Sequence, residues 1–302
     1  MDWELERLNS TNDTFDPNAI YIAQFPLITR ILGVVVGLLS TTSNVLTILT
    51  VSKYATLHNR TYWYIVNWCL CNVFITASLP YMYNSFGIIN VMNESILCIW
   101  DENAFNFLTG NQIFVAIIVI DWYITTFANQ RKCAIRCRKA FKTFIVLVWL
   151  FLLSLILVTT SLCVSSLSFP VPIICYACTY VGIFVLLIII FVLRCVKLKN
   201  SSVVYEKSKL EFRLAFSYFI CWLFNTLFLL NINYFYEHFS SSTNHIILQM
   251  SMMIGFCHAV VLFVILYILD KNFRLCLRTM FHLPVSDIDH EIRVKQDLLE
   301  FL

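Results

Sequence analysis

The stretch that decides the fold is FIVLVWLFLLSLILVTTSLCV, residues 144–164. It contains no charged residue and no proline. An α-helix needs about 20 mostly apolar residues to cross the hydrocarbon core of a bilayer. This stretch is therefore predicted to form a membrane-spanning helix.

The whole chain has the composition of a membrane protein. Of its 302 residues, 59% are hydrophobic and 13% are charged, and the mean hydropathy is +0.76. Soluble domains carry about 25% charged residues. So much apolar surface cannot be hidden in one water-soluble core.

Seven apolar stretches are long enough to span, and we expect an all-α membrane protein: a seven-transmembrane helix bundle with a short amphipathic eighth helix. The predicted spans are 28–52, 62–86, 98–126, 143–164, 174–195, 212–235 and 245–269. The predicted organisation is an extracellular acidic tail 1–27, a transmembrane domain 28–269, an amphipathic helix 270–282 and a cytoplasmic tail 283–302.

Charge predicts the orientation. With the N-terminus outside, only Arg7 and Arg30 of the 21 Lys and Arg residues fall on the outer side. Basic residues accumulate on the cytoplasmic side of membrane proteins. We therefore expect an integral multi-pass plasma-membrane protein with its N-terminus outside, whose first helix serves as the insertion signal. Asn9, Asn12 and Asn93 begin N-x-S/T triplets on that side and are candidate glycosylation sites.

The outer face is acidic. Two explanations are equally good. The acidity can result simply from the depletion of Lys and Arg on the outer side, or it can form a docking surface that attracts a basic ligand by complementary charge. The candidate docking acids are Glu4, Glu6, Asp13, Asp16, Asp101 and Glu102.

The second inner loop, NQRKCAIRCRKAFKT (residues 129–143), is basic and holds no acid. Its charge is expected to set topology and to contact anionic lipid headgroups; a partner protein could use the same surface. The basic residues are Arg131, Lys132, Arg136, Arg138, Lys139 and Lys142.

Transporter, channel and enzyme signatures are missing from the sequence. No inverted repeat or pair of broken helices is evident. His258 has no second His or acid at metal-ligand spacing, so we expect it to be a hydrogen-bonded bundle residue. Neither a metal, a cofactor nor a nucleic-acid partner is expected, and the chain is not expected to be an enzyme.

Several motifs resemble class A G protein-coupled receptors of the chemokine-receptor type, over residues 28–282. SNVLTI contains Asn44 and is similar to the family's GNxLVI. NWCLCNVFITASLPYMY, residues 67–83, resembles NLAxxDLLFxxTLPFW. Trp149, Trp222 and Tyr267 match the tryptophans of the fourth and sixth helices and the end of NPxxY. The resemblance implies a polar bundle core of Asn44, Asn72, Asn111 and His258.

The triplet Asp121-Trp122-Tyr123 falls within one residue of the family's DRY motif. Trp122 then stands where the family has the arginine that pairs with its neighbouring acid at rest and reaches the G protein when active. An indole donates one hydrogen bond and carries no charge. Asp121 is therefore expected to turn to Arg131, Lys132 or other inner-loop bases, or to take up a proton. The alternative is an ordinary interfacial tryptophan at headgroup depth.

Two further departures concern residues that the resembling family uses to change between its resting and active states. Asn72 replaces the acid that holds sodium in the family, so sodium should bind weakly if at all. Tyr267 lacks the preceding Asn-Pro pair. The resemblance also implies a disulfide from Cys98, for which Cys175 is the preferred partner and Cys163 and Cys178 are alternatives, because connectivity cannot be deduced from sequence.

The short loops and altered motifs are similar to those of receptors encoded by viruses, especially herpesviruses, which would place the protein in a host-cell membrane. The resemblance implies a receptor coupled to a heterotrimeric G protein, with a basic chemokine or no ligand outside, and possible constitutive activity. The alternative is a non-signalling decoy, scavenger or immune-evasion protein on a receptor scaffold. A chemosensory receptor of similar length is a further alternative, disfavoured by the second-helix motif.

Overall fold

The protein was analysed as a computed structural model that describes residues 17–77, 94–127, 135, 139–165, 171–198 and 209–283. These residues form α-helices and one short 3-10 turn, Ala55–Leu57, with no strand among them. The helices are α1 Pro17–Lys53, α2 Arg60–Ala77, α3 Glu94–Phe127, α4 Phe141–Val164, α5 Val171–Leu198, α6 Lys209–Leu230, α7 Ile232–His238, α8 Ser241–Leu269 and α9 Lys271–Met280.

Six of the helices in the described part of the chain are long and apolar enough to cross a membrane. The expectation of a helical, multi-pass membrane protein is confirmed. The second predicted span, 62–86, is described only as far as Ala77, so the count of seven stays a prediction. The six segments are Ile31–Lys53, Cys98–Phe127, Phe141–Val164, Val171–Leu193, Leu210–Leu230 and Ile246–Leu269.

The helices form a bundle around α3. In the apolar stretch of α3, 67% of residues are buried, against 17% in α4. Large apolar side chains on the outside of α4, such as Leu157 and Val146, are more than half exposed. Such a surface would be unfavourable in water, whereas lipid tails are as apolar as the side chains themselves. The exposed face of α4 is therefore the face expected to contact lipid.

Local sequence explains several helix boundaries. Asn59 caps α2, because its Oδ1 accepts the backbone N–H of Tyr62 at 3.0 Å. Ser240 caps α8 by accepting the N–H of Thr243 at 3.3 Å. A side-chain oxygen in this position satisfies one of the unpaired N–H groups of the first helical turn.

The largest differences from the predicted boundaries are at two helices. α1 begins at Pro17, so the end of the predicted outer tail is helical. α6 ends at Leu230 rather than continuing to residue 235. Asn231 lies at this break, and its side-chain Nδ2 donates to the carbonyl of Leu227 at 2.9 Å, which satisfies a carbonyl at the helix end.

α9 occupies the predicted amphipathic stretch. Asp270 caps it by accepting the N–H groups of Asn272 and Phe273 at 2.9 and 3.1 Å. Phe273, Cys276 and Leu277 are buried, so one face of α9 packs on the bundle. We refer to this end, where α1, α3, α5 and α8 finish, as the inner end, after the orientation predicted from charge.

Candidate functional site

Three buried asparagines join α1, α2 and α3 in the middle of the bundle. Asn111 Nδ2 donates to Asn72 Oδ1 at 2.6 Å, and Asn72 Nδ2 donates to Asn44 Oδ1 at 3.3 Å. Asn44 in turn donates to the carbonyl of Ser40 at 2.9 Å. We call Asn44, Asn72 and Asn111 the amide chain. Three of the four residues of the predicted polar core therefore contact one another through hydrogen bonds. The amide chain carries no formal charge.

A second polar contact links α2 with α4. The indole Nε1 of Trp149 donates to Asn67 Oδ1 at 2.7 Å, and Asn67 Nδ2 donates to the carbonyl of Trp63 at 2.7 Å. Both Asn67 and Trp149 carry the sequence resemblance described above, and here they contact each other.

An aromatic cluster of Trp68, Tyr218, Trp222 and His258 fills the space between α2, α6 and α8. The imidazole of His258 is stacked on Trp68, with ring centroids 5.9 Å apart, and meets Tyr218 edge-on at 5.2 Å. All four side chains are essentially inaccessible. His258 is therefore a bundle residue held by rings and hydrogen bonds.

The hydrogen bonds of His258 compete for one nitrogen. Its Nδ1 lies 3.1 Å from the Trp222 Nε1 donor and 2.6 Å from the carbonyl oxygen of Gly255. In a neutral imidazole, Nδ1 either accepts or donates a hydrogen bond. It can satisfy Trp222 or Gly255 in one tautomer, but not both. The cluster therefore has two alternative hydrogen-bond arrangements that differ only in proton position.

Gly255 allows Trp222 to approach α8. A Cβ atom built on Gly255 would lie 2.7 Å from the Trp222 ring. Real contacts of this kind are essentially never so short, and an indole packed among other rings has little room to move. Glycine at this position is thus a packing requirement of the cluster.

At the inner end, Asp121 of α3 pairs with Arg60, the first residue of α2. The Arg60 Nη1–Asp121 Oδ1 distance is 2.7 Å, and the two side chains are 25% and 13% exposed. Arg60 Nη2 also donates to Thr125 Oγ1 at 3.4 Å. The expected partners of Asp121 were Arg131, Lys132 or other inner-loop bases, or a proton, whereas the structure pairs it with Arg60, a residue of helix α2.

The Trp122 ring is buried inside the bundle, with 6% of its surface exposed. It meets Phe127 edge-on at 5.8 Å and Phe212 of α6 at 6.1 Å. The ring is therefore packed between α3 and α6 rather than lying on the outside of the bundle. We call Arg60, Asp121, Trp122 and Phe212 the inner corner.

Tyr123 and Tyr267, two residues singled out by the family resemblance, also lie near this end. Tyr123 is partly buried and its ring contacts Phe127 at 5.3 Å. Tyr267 is partly buried near the end of α8, and its backbone carbonyl accepts a hydrogen bond from Arg274 of α9 at 3.4 Å. The structure therefore brings Tyr267 to the α8–α9 joint.

The preferred disulfide partner of Cys98 was wrong. Cys98 is bonded to Cys163, with Cα atoms 5.8 Å apart, whereas Cys175 is a free cysteine. Cys98 lies near the start of α3 and Cys163 near the end of α4. These helices run antiparallel side by side, so their ends meet, and Cys163 was the alternative that satisfied this geometry.

Other predicted residues lie outside the part of the chain whose side chains the structure describes. Of the remainder, Lys139 is exposed and Glu102 is partly buried in α3. The residues outside are Glu4, Glu6, Asn9, Asn12, Asp13, Asp16, Asn93, Asp101, Arg131, Lys132, Arg136 and Arg138.

The sequence reasoning did not single out Arg60 or Trp68. Arg60 begins α2, but its contact with Asp121, 61 positions away along the chain, depends on how α2 packs against α3. Trp68 was part of a quoted motif, but its contact with His258 depends on the rotation of two helices, which the motif does not report.

Comparisons with known proteins leave the family open. No protein-family model matches the chain, and no curated protein sequence matches it.

Proposed function

We propose that the protein is a cell-surface receptor of the chemokine-receptor type that couples to a heterotrimeric G protein without needing a ligand. In this proposal the chain spans the membrane seven times with its N-terminus outside. The observation that carries it is the inner corner, where Arg60 of α2 takes the place next to Asp121 that the receptor family gives to the arginine following that acid.

The pairing changes which helices are held together. The ion pair joins α2 to α3, whereas α3 meets α6 at this end through the rings of Trp122 and Phe212. An aromatic edge contact contributes about 0.5–1.5 kcal/mol. A receptor is a two-state bundle, and any change that weakens one state shifts the population toward the other. The Arg60–Asp121 ion pair then need not break when α6 moves away from α3.

The neutral amide chain supports the same proposal. In the resembling family, a carboxylate at the Asn72 position holds sodium in the resting state. Here Asn72 Oδ1 already accepts from Asn111, and an amide offers a cation no charge. The restraint that sodium places on the resting state would be missing.

A second function is favoured by the burial of Trp122. A side chain with 6% exposure and no charge cannot present a cation to a G protein. The protein would then be a decoy or scavenger that binds a basic ligand at its acidic outer face without signalling.

Expression of the full chain without ligand distinguishes the two functions. We expect cAMP or phospholipase output above that of cells carrying an empty vector, and a changed output for Arg60→Gln, because this variant frees Asp121. Glu237→Gln, an exposed residue outside the inner corner, is the matched control. Basal output equal to that of empty cells at normal surface expression would reject signalling and favour the decoy.

A further inference from the structure

A cavity of about 180 Å³ opens at the inner end between the start of α2, the start of α6 and the α8–α9 joint. Its polar lining includes Arg60, Tyr62, Glu211 and Asp270. The cavity shares Arg60 with the inner corner, but Asp121, Trp122 and Phe212 do not belong to its lining. Its chemistry therefore calls for separate consideration.

Two oxygen atoms in the lining are buried without a donor. The Tyr62 hydroxyl and the Glu211 Oε2 atom are both inaccessible and have no hydrogen-bond partner among the described residues. Tyr62 as a whole is only 3% exposed. A buried polar atom left unpaired costs about 1–3 kcal/mol. Both atoms would therefore be stabilised by a donor that enters the cavity.

The lining is held in place by its neighbours. The Tyr62 ring is stacked on Phe273 of α9, with an interplanar angle of 9° and centroids 6.2 Å apart. The Asp270 carboxylate is fixed by the two backbone N–H groups that it caps. Asp270 and Tyr62 both line the cavity. A rigid set of acceptors loses little entropy when a ligand binds.

The charge of the cavity is negative. Two carboxyl side chains, Glu211 and Asp270, belong to its lining. Arg60 is the cation in the lining, and its Nη1 is already engaged by Asp121. The described part of the lining is therefore an acidic recess. Such a recess selects cations by complementary potential.

We propose that this cavity binds a guanidinium group. A guanidinium carries five N–H donors in a plane and no acceptor, which suits a lining of two carboxylates and a hydroxyl. Bidentate pairing with a carboxylate makes the contact both strong and directional. The described residues include no group of three metal-ligating side chains, which favours an organic cation over a metal ion. The inference is independent of the proposed signalling function.

The test uses the full chain in nanodiscs of phosphatidylcholine, a lipid with no net charge, and two probes of the same shape. Butylguanidinium is titrated by calorimetry against butylurea, which lacks the charge, at constant ionic strength. We expect saturable binding of butylguanidinium and none of butylurea. Glu211→Gln should weaken binding about tenfold or more, the usual effect of removing a charged hydrogen-bond partner. Equal binding of both probes would overturn the proposal.

Further variants keep the test decisive if Glu211→Gln does not fold. Asp270→Asn retains an oxygen for the helix cap and should weaken binding, whereas Glu237→Gln, outside the cavity, should not. An equal loss in Glu237→Gln and in Asp270→Asn would contradict the assignment. A capped pentapeptide with one central arginine among alanines identifies the source. If this peptide binds more tightly than butylguanidinium, the natural ligand is an arginine of a protein partner. If the peptide binds more weakly, the natural ligand is a free guanidinium compound, and either result supports the site.

Discussion

The inner corner and the middle of the bundle solve the same problem in different ways. Each must connect helices through polar side chains in a low-dielectric interior. The inner corner uses one ion pair, Arg60–Asp121, at 2.7 Å. The middle uses the amide chain and the aromatic cluster, whose members carry no formal charge when His258 is neutral.

The difference follows from depth. An ion pair at the end of the bundle keeps some contact with water, and both members are partly exposed. A charge in the middle would lose its hydration entirely, a cost of several kcal/mol that a partner only partly offsets. Amides, indoles and a neutral imidazole connect the same helices without that cost. Charge is therefore found at the end of the bundle and neutral hydrogen bonds at its centre.

Gly255→Ala should have the largest effect, because it breaks the middle of the bundle by sterics alone. The added Cβ would meet the Trp222 ring at 2.7 Å. Overpacking of this kind costs about 1–3 kcal/mol. We expect a lower midpoint of thermal unfolding for the purified protein and a changed emission of its tryptophan fluorescence.

Gly182→Ala is the matched control for that prediction. A Cβ at Gly182 has nothing within 4 Å, and alanine favours a helix over glycine by about 0.8–1.0 kcal/mol. This variant should leave the midpoint unchanged or raise it. A Gly255→Ala protein as stable as the Gly182→Ala protein would mean that Trp222 does not pack against α8 as described.

The residues of the amide chain show how far sequence alone could lead. Asn44, Asn72 and Asn111 were grouped in advance by the family resemblance, and a buried amide needs a partner. In the structure these three side chains are joined by hydrogen bonds. The bundle itself followed from apolar length, since the bilayer leaves a helix few alternatives.

The remainder depended on geometry between distant segments. Arg60 and Asp121 are 61 positions apart, and no local pattern relates them. Reading the Asp-Trp-Tyr triplet along the chain showed that a charge was missing at Trp122, but not that another helix supplied it. The disulfide was misassigned for the same reason, because three cysteines at the outer ends of helices were equivalent until the antiparallel contact of α3 with α4 was known.

A double-mutant cycle on the inner corner should show an intermediate effect. Arg60→Gln and Asp121→Asn each keep the side-chain shape and remove one charge. A fully buried pair loses about 3–5 kcal/mol when one member is removed, and an exposed pair about 0–1 kcal/mol. With partial exposure, we expect about 1–2 kcal/mol for each single variant, measured by unfolding in mixed detergent micelles.

The double variant should cost clearly less than the sum of the two single variants, since each single change already removes the pair. Lys139→Gln, an exposed base near the same end, should change the free energy of unfolding by less than about 0.5 kcal/mol. Strict additivity in the cycle would show that Arg60 and Asp121 do not interact in the membrane-embedded protein.

Sodium should have the smallest effect, because the amide chain offers it no charge. Replacing sodium chloride by choline chloride should leave the thermal midpoint of the native protein unchanged. In Asn72→Asp, a carboxylate would lie beside the amides of Asn44 and Asn111, and sodium should then stabilise the protein by about 1 kcal/mol at several times its Kd. Asn72→Ala removes the oxygen and should show no sodium response. A sodium-dependent midpoint in the native protein would contradict the view that neutral hydrogen bonds alone hold the centre of this bundle, and the contrast with the inner corner would have to be abandoned.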